Sequence, residues 1–200
     1  MATNLVFCAA VFLCLGSNLV ESASAARPGR EVLRFEAVEP QVPRGQANKF
    51  QVNNCGHPES DMFNLTRLVV SPDPIHLPGV VTISAGGTLR MTARSPITLQ
   101  VDIHKNVRGA WLTVPCIAQV GSCTYGDICA LLELLPVCPR QLVDAGIPCS
   151  CPYQQGTYTL PESKFPIPVP VLPDGDYRVR AVATNDGTPV SCVEIYFSVD

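Results

Sequence analysis

Residues 116–151 constrain the fold of this chain more than any other segment, because they hold six of its ten cysteines. Disulfides between cysteines this close in sequence would tie the segment into a compact unit. Four aliphatic residues inside it have the i, i+3, i+4, i+7 spacing of one apolar helix face: Ile128, Leu131, Leu132 and Leu135. We therefore predict one short helix over residues 125–135, held by disulfides on both sides.

The first 25 residues have the features of a secretory signal. Residues 5–15 form an apolar run that is too short to span a bilayer, and Ala23-Ser24-Ala25 supplies the small residues that a signal peptidase accepts. We predict cleavage after this motif; a retained membrane anchor is the alternative. Cleavage would remove Cys8 and Cys14. The eight remaining cysteines, an even number, predict four disulfides and an oxidising compartment.

Strand and turn signals dominate the rest of the sequence. Residues 97–104 alternate apolar and polar side chains, which predicts a strand with one buried and one solvated face. Residues 165–171 alternate with prolines, and because proline cannot donate to a central ladder, this strand is expected at a sheet edge. Residues 177–183 and 193–199 predict a hairpin around Asn185-Asp186-Gly187. Further strands are expected over residues 32–35, 65–70, 80–84, 88–93 and 111–114, with a turn at Gly86-Gly87.

These elements predict a mainly β, antiparallel fold in one domain over residues 55–200. Residues 26–54 mix charge, proline and glycine without periodicity, so we expect a mobile N-terminal arm there. Asn64-Leu65-Thr66 is an N-glycosylation sequon, which predicts a surface position for Asn64. Charged residues make up only 16% of the chain, against roughly 25% in ordinary globular proteins. The chain therefore either buries more apolar surface than usual or presents it to an apolar partner.

Enzymatic and nucleic-acid functions find little support in the sequence. It has no G-x-S-x-G motif, and His57, His76 and His104 lie in different segments. Asp102 and His104 share one strand face and could bind a metal ion, but a solvated polar face is the better interpretation. Cys149-Ser150-Cys151 is too closely spaced for a zinc knuckle. These observations lead us to expect no catalytic activity, no cofactor and no metal. There is also no basic stripe, so we expect no nucleic acid partner.

Short motifs follow one another in a specific order from Cys55 to Asp200. They are Ser71-Pro72-Asp73-Pro74-Ile75, Pro78-Gly79, Val81-Thr82, Gly109-Ala110-Trp111, Pro115-Cys116, Gly121-Ser122-Cys123-Thr124, Gly146-Ile147-Pro148-Cys149-Ser150-Cys151-Pro152 and Gly156-Thr157-Tyr158-Thr159-Leu160-Pro161. Together with the positions of the eight cysteines, this ordered set resembles the GM2 ganglioside activator protein family.

The resemblance implies a β-cup, in which an antiparallel sheet curls around an apolar lipid cavity with one small helix at its side. It also implies a disulfide pairing that the spacing of the cysteines leaves open. The implied pairs are Cys55–Cys192, Cys116–Cys123, Cys129–Cys151 and Cys138–Cys149.

The resemblance further implies a lipid-binding protein without catalytic activity of its own. Such a protein extracts a sphingolipid or glycolipid from a membrane surface and presents its sugar to a lysosomal glycosidase, beta-N-acetylhexosaminidase. The chain would enter the secretory pathway and act in the lysosome or outside the cell. The alternative is a secreted lipid-recognition or defence protein that uses the same cup without a glycosidase partner.

The resemblance also indicates which residues surround the cavity. One rim segment that meets membranes corresponds to Val107, Arg108, Gly109, Ala110 and Trp111, and a second to residues 171–175, which include Val171 and Leu172. Val169, in the proline-alternating strand just before the second segment, is also expected at the cavity or its rim. Of the helix residues, Leu131, Leu132 and Leu135 either pack in the core or line the lipid cavity. Trp111 suits a membrane interface; the alternative is a core tryptophan beside a disulfide.

Overall fold

The computed structural model describes residues 50–168 and 172–200. In this part of the chain, nine strands form two antiparallel sheets, and two short helices lie between the sixth and seventh strands. The elements in chain order are β1 Gln51–Asn54, β2 Phe63–Ser71, β3 Gly79–Leu89, β4 Ile97–Val107, β5 Ala110–Thr113, β6 Thr124–Tyr125, α1 Ile128–Glu133, α2 Arg140–Asp144, β7 Gly156–Ile167, β8 Gly175–Asn185 and β9 Thr188–Val199.

The large sheet has the strand order β1-β9-β8-β4-β5, and β6 also pairs with β4. Its centre follows from side-chain alternation, because every second residue of β4 from Ile97 to Ile103 is buried while the residues between them are more exposed. The strand predicted over residues 97–104 is thus confirmed and extends three residues further. The hairpin predicted around Asn185-Asp186-Gly187 is also confirmed, as β8 and β9 pair from Gly175↔Val199 to Asn185↔Thr188.

The small sheet has the order β2-β3-β7. Because β7 pairs with β3 alone, the edge position predicted for residues 165–171 is confirmed for residues 165–167, where β7 ends. The turn predicted at Gly86-Gly87 is wrong, since β3 runs through both glycines as one strand. The ring of Phe63 on β2 covers this point so closely that a Cβ on Gly87 would lie 2.3 Å from its Cζ atom. These glycines therefore permit a close approach inside a strand.

The two sheets share one apolar core. Its most deeply buried members come from both sheets: Val81 and Ile83 from β3, and Tyr177, Val179 and Val193 from β8 and β9. The prediction of a mainly β, antiparallel fold is confirmed.

The helical region differs from the prediction of a single helix over residues 125–135. The first helix begins only at Ile128, because Asp127 is its N-cap and accepts a hydrogen bond from the backbone N–H of Cys129 at 3.0 Å. A second helix, Arg140–Asp144, follows Pro139 and is ended by Gly146, whose φ of +68° is the left-handed conformation typical of a helix C-terminus. Its five residues are too few for a periodic pattern to reveal it.

Four disulfides connect the described cysteines: Cys55–Cys192, Cys116–Cys123, Cys129–Cys151 and Cys138–Cys149. These are the pairs that the family resemblance implied. Cys55–Cys192 joins the end of β1 to β9, its partner strand. The other three tie the region between β5 and β7, where regular strand pairing is sparse.

Strand β1 pairs with β9 over residues 51–54, immediately before the domain boundary predicted at Cys55. Phe50, just before it, donates its backbone N–H to Asp73 at 2.8 Å. The predicted signal peptide, the strand over residues 32–35, most of the N-terminal arm, and the rim residues Val169 and Val171 lie outside the described residues. No helix in the described ranges is long and apolar enough to cross a membrane.

Candidate functional site

An apolar pocket of about 250 Å³ lies between the two sheets, at the end where the β8–β9 hairpin turns. The large sheet contributes the start of β4, the end of β8 and the start of β9. The small sheet contributes the start of β2, the end of β3 and the start of β7. The residues of the two sheets that line it are Phe63, Leu65, Leu68, Ala85, Gly86, Gly87, Leu89, Ile97, Tyr158, Leu160, Ala183, Val190 and Ser191, and Ala93 and Tyr153 line it from the loops.

A helical cover, which we define as residues 128–149, closes one side of this pocket. Its inner face contributes Ile128 and Leu132 from α1, Leu142 from α2, and Ile147, Pro148 and Cys149 from the loop that follows. Cys129–Cys151 ties the start of the cover to a residue just beyond its end, and Cys138–Cys149 closes a loop within it. On its outer face, Leu134, Val137 and Val143 are each more than half exposed. The outer face therefore mixes these exposed aliphatic residues with charged ones, namely Glu133, Arg140 and Asp144.

The cover is positioned by a hydrogen-bonded carboxylate at the start of α1. Asp127 accepts hydrogen bonds from the Ser95 hydroxyl at 2.5 Å, from the Ile97 backbone N–H at 3.1 Å and from the Cys129 backbone N–H at 3.0 Å. These bonds hold the pKa of Asp127 below its usual range, and the bond from Ser95 has the largest effect. One side chain therefore joins α1 to the start of β4.

The pocket wall carries no charge among the described residues, and its polar groups are hydroxyls. Tyr153 and Tyr158 pack edge to face with ring centroids 6.4 Å apart, and the Tyr158 hydroxyl donates to the Gln154 carbonyl at 2.6 Å. Burial raises the pKa of Tyr153 to about 12, with a smaller effect from Tyr158. The pocket is thus suited to hydrocarbon, with very few polar contacts.

A second concavity, of about 610 Å³, lies between the edge strands β1 and β2. Its wall includes Asn54, Thr66, Arg67 and Asp73. The rest of its wall is apolar, including Phe50, Val52 and Val193, so this wider groove mixes apolar groups with charged ones that a hydrocarbon chain would leave without partners. The apolar pocket is the better candidate for a ligand site.

Of the predicted helix residues, Leu132 lines the pocket, whereas Leu131 and Leu135 are half-buried and lie outside its wall. No sequence pattern indicated that Phe63, Tyr153 and Ser191 would meet at one pocket, because they come from three separate parts of the chain. Alternation along β2 and β9 could have identified inward-facing residues, but not the end of the sheets at which a pocket forms.

The predicted rim residues do not lie at this pocket. Residues 107–111 form the tip of the β4–β5 hairpin, with Arg108 and Gly109 at positive φ. Because β4 has 11 residues and a strand rises about 3.3 Å per residue, this tip is roughly 30 Å along β4 from the pocket-lining Ile97. Leu172, from the second predicted rim segment, is buried in the core.

Trp111 lies on the outer face of the large sheet. Its ring contacts Tyr196 edge to face, with centroids 6.2 Å apart, and the Arg178 guanidinium lies 5.6 Å from its ring centroid. The Trp111 side chain is half-buried. The two ring contacts just described are with Tyr196 and Arg178, not with a disulfide. Two exposed aliphatic residues, Val107 and Leu112, belong to the same hairpin, so the hairpin presents a small apolar surface.

The histidines do not form a catalytic group. His76 pairs with Asp200 on the surface, His57 lies in the turn after β1, and His104 is on the outer face of the large sheet, opposite Thr113 and Arg178. Asp102 lies on that same face, opposite Arg180. Across residues 50–168 and 172–200, no three histidine, cysteine, aspartate or glutamate residues cluster in a way that could hold a metal ion.

The fold and pocket define a class of protein: two antiparallel sheets around an uncharged apolar pocket, closed by a disulfide-tied cover. Residues 49–199 match the ML domain family model. The ganglioside GM2 activator of Macaca fascicularis is 36% identical over 158 residues, which cover 75% of this chain and 83% of the relative. That of Mus musculus is 35% identical over 168 residues, which cover 79% and 86%. The chain therefore belongs to the ML domain family and is a relative of the ganglioside GM2 activators, as its motifs predicted.

Among solved structures, a Niemann-Pick type C2 protein from Japanese carpenter ant aligns with 75% of this chain and 99% of its own. The TM-score of this alignment is 0.42, and the two sequences are 14% identical.

Proposed function

We propose that this chain is a non-enzymatic lipid-binding and lipid-transfer protein, and that the apolar pocket takes up a hydrocarbon chain of its ligand. The observation that carries the proposal is the uncharged lining of the pocket, supplied by both sheets and by the helical cover. Each CH₂ group removed from water contributes about 0.8 kcal/mol, so even a short buried segment of an acyl chain would give useful affinity.

The size of the pocket indicates how a ligand would enter. Its volume of about 250 Å³ is below the range of roughly 300–1,000 Å³ typical of sites for drug-sized ligands. A two-chain lipid therefore requires the pocket to widen. The helical cover is the part that would move, because it packs against the sheets through only a few buried side chains, notably Cys129, Leu132 and Leu142.

The finer role that we propose is presentation of a sphingolipid or glycolipid to a lysosomal glycosidase such as beta-N-acetylhexosaminidase. Its support is the identity of about 35% to proteins named ganglioside GM2 activator. Four disulfides suit a protein that matures in the secretory pathway, and we infer that it acts in the lysosome or outside the cell. Asn64, whose backbone lies in β2 at the edge of the small sheet, is the inferred glycosylation site.

The first experiment is native mass spectrometry of the protein purified from a secretory host, followed by lipid extraction. We expect a co-purifying lipid, or an adduct after incubation with liposomes of mixed glycolipids and phospholipids. Ala85→Leu fills the pocket from β3 and should reduce the adduct. Ala130→Leu makes the same change on the exposed side of α1 and should leave it unchanged. If the wild-type protein shows no adduct under either condition, the carrier proposal is wrong.

A second assay tests the glycosidase role separately. Purified beta-N-acetylhexosaminidase would be given an amino-sugar glycolipid embedded in liposomes, with and without this protein. Faster hydrolysis is expected, because the enzyme cannot reach a sugar held close to the bilayer. Lipid binding without any acceleration would favour the alternative, a secreted lipid-recognition protein that has no glycosidase partner.

A further inference from the structure

Strand β2 has a long free edge. It is nine residues long, and among the described residues it pairs with β3 alone. In such a strand about half of the backbone N–H and C=O groups point away from the partner strand, where they can pair with another extended segment. Val69 is also 45% exposed on this strand. Proteins usually keep edge strands short, charged or covered, so we looked for a segment that could cover this edge.

The groove of about 610 Å³ between β1 and β2 runs beside this free edge. Apolar side chains from three strands line it, including Val52, Leu68 and Val193. Arg67 also lines it and has no carboxylate partner among residues 50–168 and 172–200. Apolar side chains next to unpaired backbone groups are the features that bind an extended peptide at a sheet edge. The groove therefore suits a strand of polypeptide.

The chain itself enters the described domain at this groove. Phe50 lines the groove, and its backbone N–H donates to Asp73, another residue of the wall, at 2.8 Å. Residues 26–49 precede Phe50 and are therefore attached at the groove. No partner from outside the molecule has to be brought to this site.

The sequence of residues 31–38, which we call the arm segment, has the pattern of a half-buried strand. Leu33, Phe35 and Ala37 alternate with the charged residues Arg34 and Glu36, which is the period of two of a strand with one apolar face. The strand predicted over residues 32–35 lies within it.

The arm segment is also long enough and close enough to reach β2. Twelve residues separate Val38 from Phe50, so an extended linker spans about 40 Å, whereas β2 is roughly 30 Å long. Pro40, Pro43 and Gly45 lie in this linker and are typical of a chain that changes direction.

We propose that the arm segment lies in the groove between β1 and β2 and adds to the free edge of β2 as a further strand. Its apolar residues Leu33, Phe35 and Ala37 pack on the apolar wall, and a glutamate of the segment pairs with Arg67. Because the segment is tethered next to its site, docking is intramolecular and needs only modest affinity. Leu65 and Leu68 line both the groove and the apolar pocket, so the docked segment covers a wall that the two cavities share.

The test is hydrogen–deuterium exchange of the full-length secreted protein, followed on peptides that cover residues 66–71. We expect the amides of β2 that point away from β3 to exchange about 10-fold or more slowly in wild type than in Leu33→Asp/Phe35→Asp, which removes the apolar face of the segment. Val42→Asp/Ala47→Asp is the matched control, because it adds the same charge to the linker, and it should keep the wild-type protection. Exchange in β4 checks that all three proteins are folded, and β7, the other edge of the small sheet, should exchange alike in all three.

The inference is overturned if β2 exchanges at the same rate in wild type and in Leu33→Asp/Phe35→Asp, or if the linker control loses protection equally. It is also overturned if the protection grows with protein concentration, since a second copy would then cover the edge. An intact mass that shows a mature chain beginning after residue 38 would exclude it as well. None of these results depends on whether the apolar pocket binds lipid, so the two proposals can fail separately.

Discussion

Removing the disulfides one pair at a time should destabilise the protein in the order of the loops they close. In the chain-entropy model, a disulfide stabilises by restricting the unfolded chain, and its effect grows with the logarithm of the loop length. Cys55–Cys192 spans 137 residues, which gives about 5 kcal/mol at 25 °C. Cys116–Cys123 spans 7 residues and gives about 2.4 kcal/mol. Since whole domains are stable by only about 5–15 kcal/mol, the first removal threatens folding and the second does not.

These two disulfides form a matched comparison, because each has one exposed cysteine and one buried cysteine, Cys192 at 5% and Cys123 at 3% exposure. Replacing both cysteines of a pair by alanine therefore removes similar packing in the two variants, and the difference reports mainly on loop closure. Urea unfolding would measure it: the two midpoints should differ by about 1 M or more. If the Cys116→Ala/Cys123→Ala variant is as unstable as the Cys55→Ala/Cys192→Ala variant, or less stable, the loop-closure reasoning is refuted.

Three further substitutions test the cover and the hairpin. Leu132→Ala, in the pocket wall, should lower the free energy of unfolding by about 2–5 kcal/mol, whereas Leu134→Ala, 66% exposed, should be nearly neutral; equal urea midpoints would contradict this. Asp127→Ala removes the N-cap of α1 and should cost roughly 1 kcal/mol at neutral pH. Hydrogen bonds, of which the one from Ser95 has the largest effect, lower the pKa of Asp127 in the folded state. The stabilisation by this carboxylate is therefore present above its unfolded-state pKa and is lost as the pH falls through its folded-state pKa, so the stability difference between wild type and Asp127→Ala should shrink below about pH 4. A constant stability difference down to pH 2 would argue against Asp127 as the charged N-cap. Trp111→Ala should reduce cosedimentation with liposomes several-fold at a stability cost of only about 1 kcal/mol, and unchanged cosedimentation would exclude the hairpin as a membrane contact.

The parts of the fold that could be predicted from sequence are those in which one local pattern determines the outcome. The alternation of apolar and polar residues predicted β4, the prolines predicted an edge position for β7, and the Asn-Asp-Gly turn predicted the β8–β9 hairpin. The continuation of β3 through Gly86 and Gly87 could not be predicted, because paired glycines usually mark a turn. Here they accommodate the ring of Phe63, which lies on the neighbouring strand. A local signal was overridden by a contact between two strands.

The pocket was harder to predict, because no local pattern describes it. Leu132 was expected from the helical stripe, but most of the wall is assembled by the pairing of distant strands. Ser191 and Tyr153 are 38 residues apart, and nothing near either residue in the sequence distinguishes it from other polar residues of the chain. The resemblance placed the rim at the β4–β5 hairpin, yet the pocket lies at the opposite end of β4. Sequence motifs identified the family here, whereas the wall of this pocket follows from the pairing of distant strands.

The helical cover explains why the protein can keep an apolar pocket between sheets that otherwise share a dense core. If strands closed this side, their side chains would interdigitate with those of the facing sheet and fill the space. The cover contributes few buried side chains, and the aliphatic residues Leu134, Val137 and Val143 on its outer face remain exposed. Packing alone would therefore hold it weakly. Cys129–Cys151 and Cys138–Cys149 hold the cover together, so it can shift as one unit to admit a chain without disturbing the strand pairing that stabilises the two sheets.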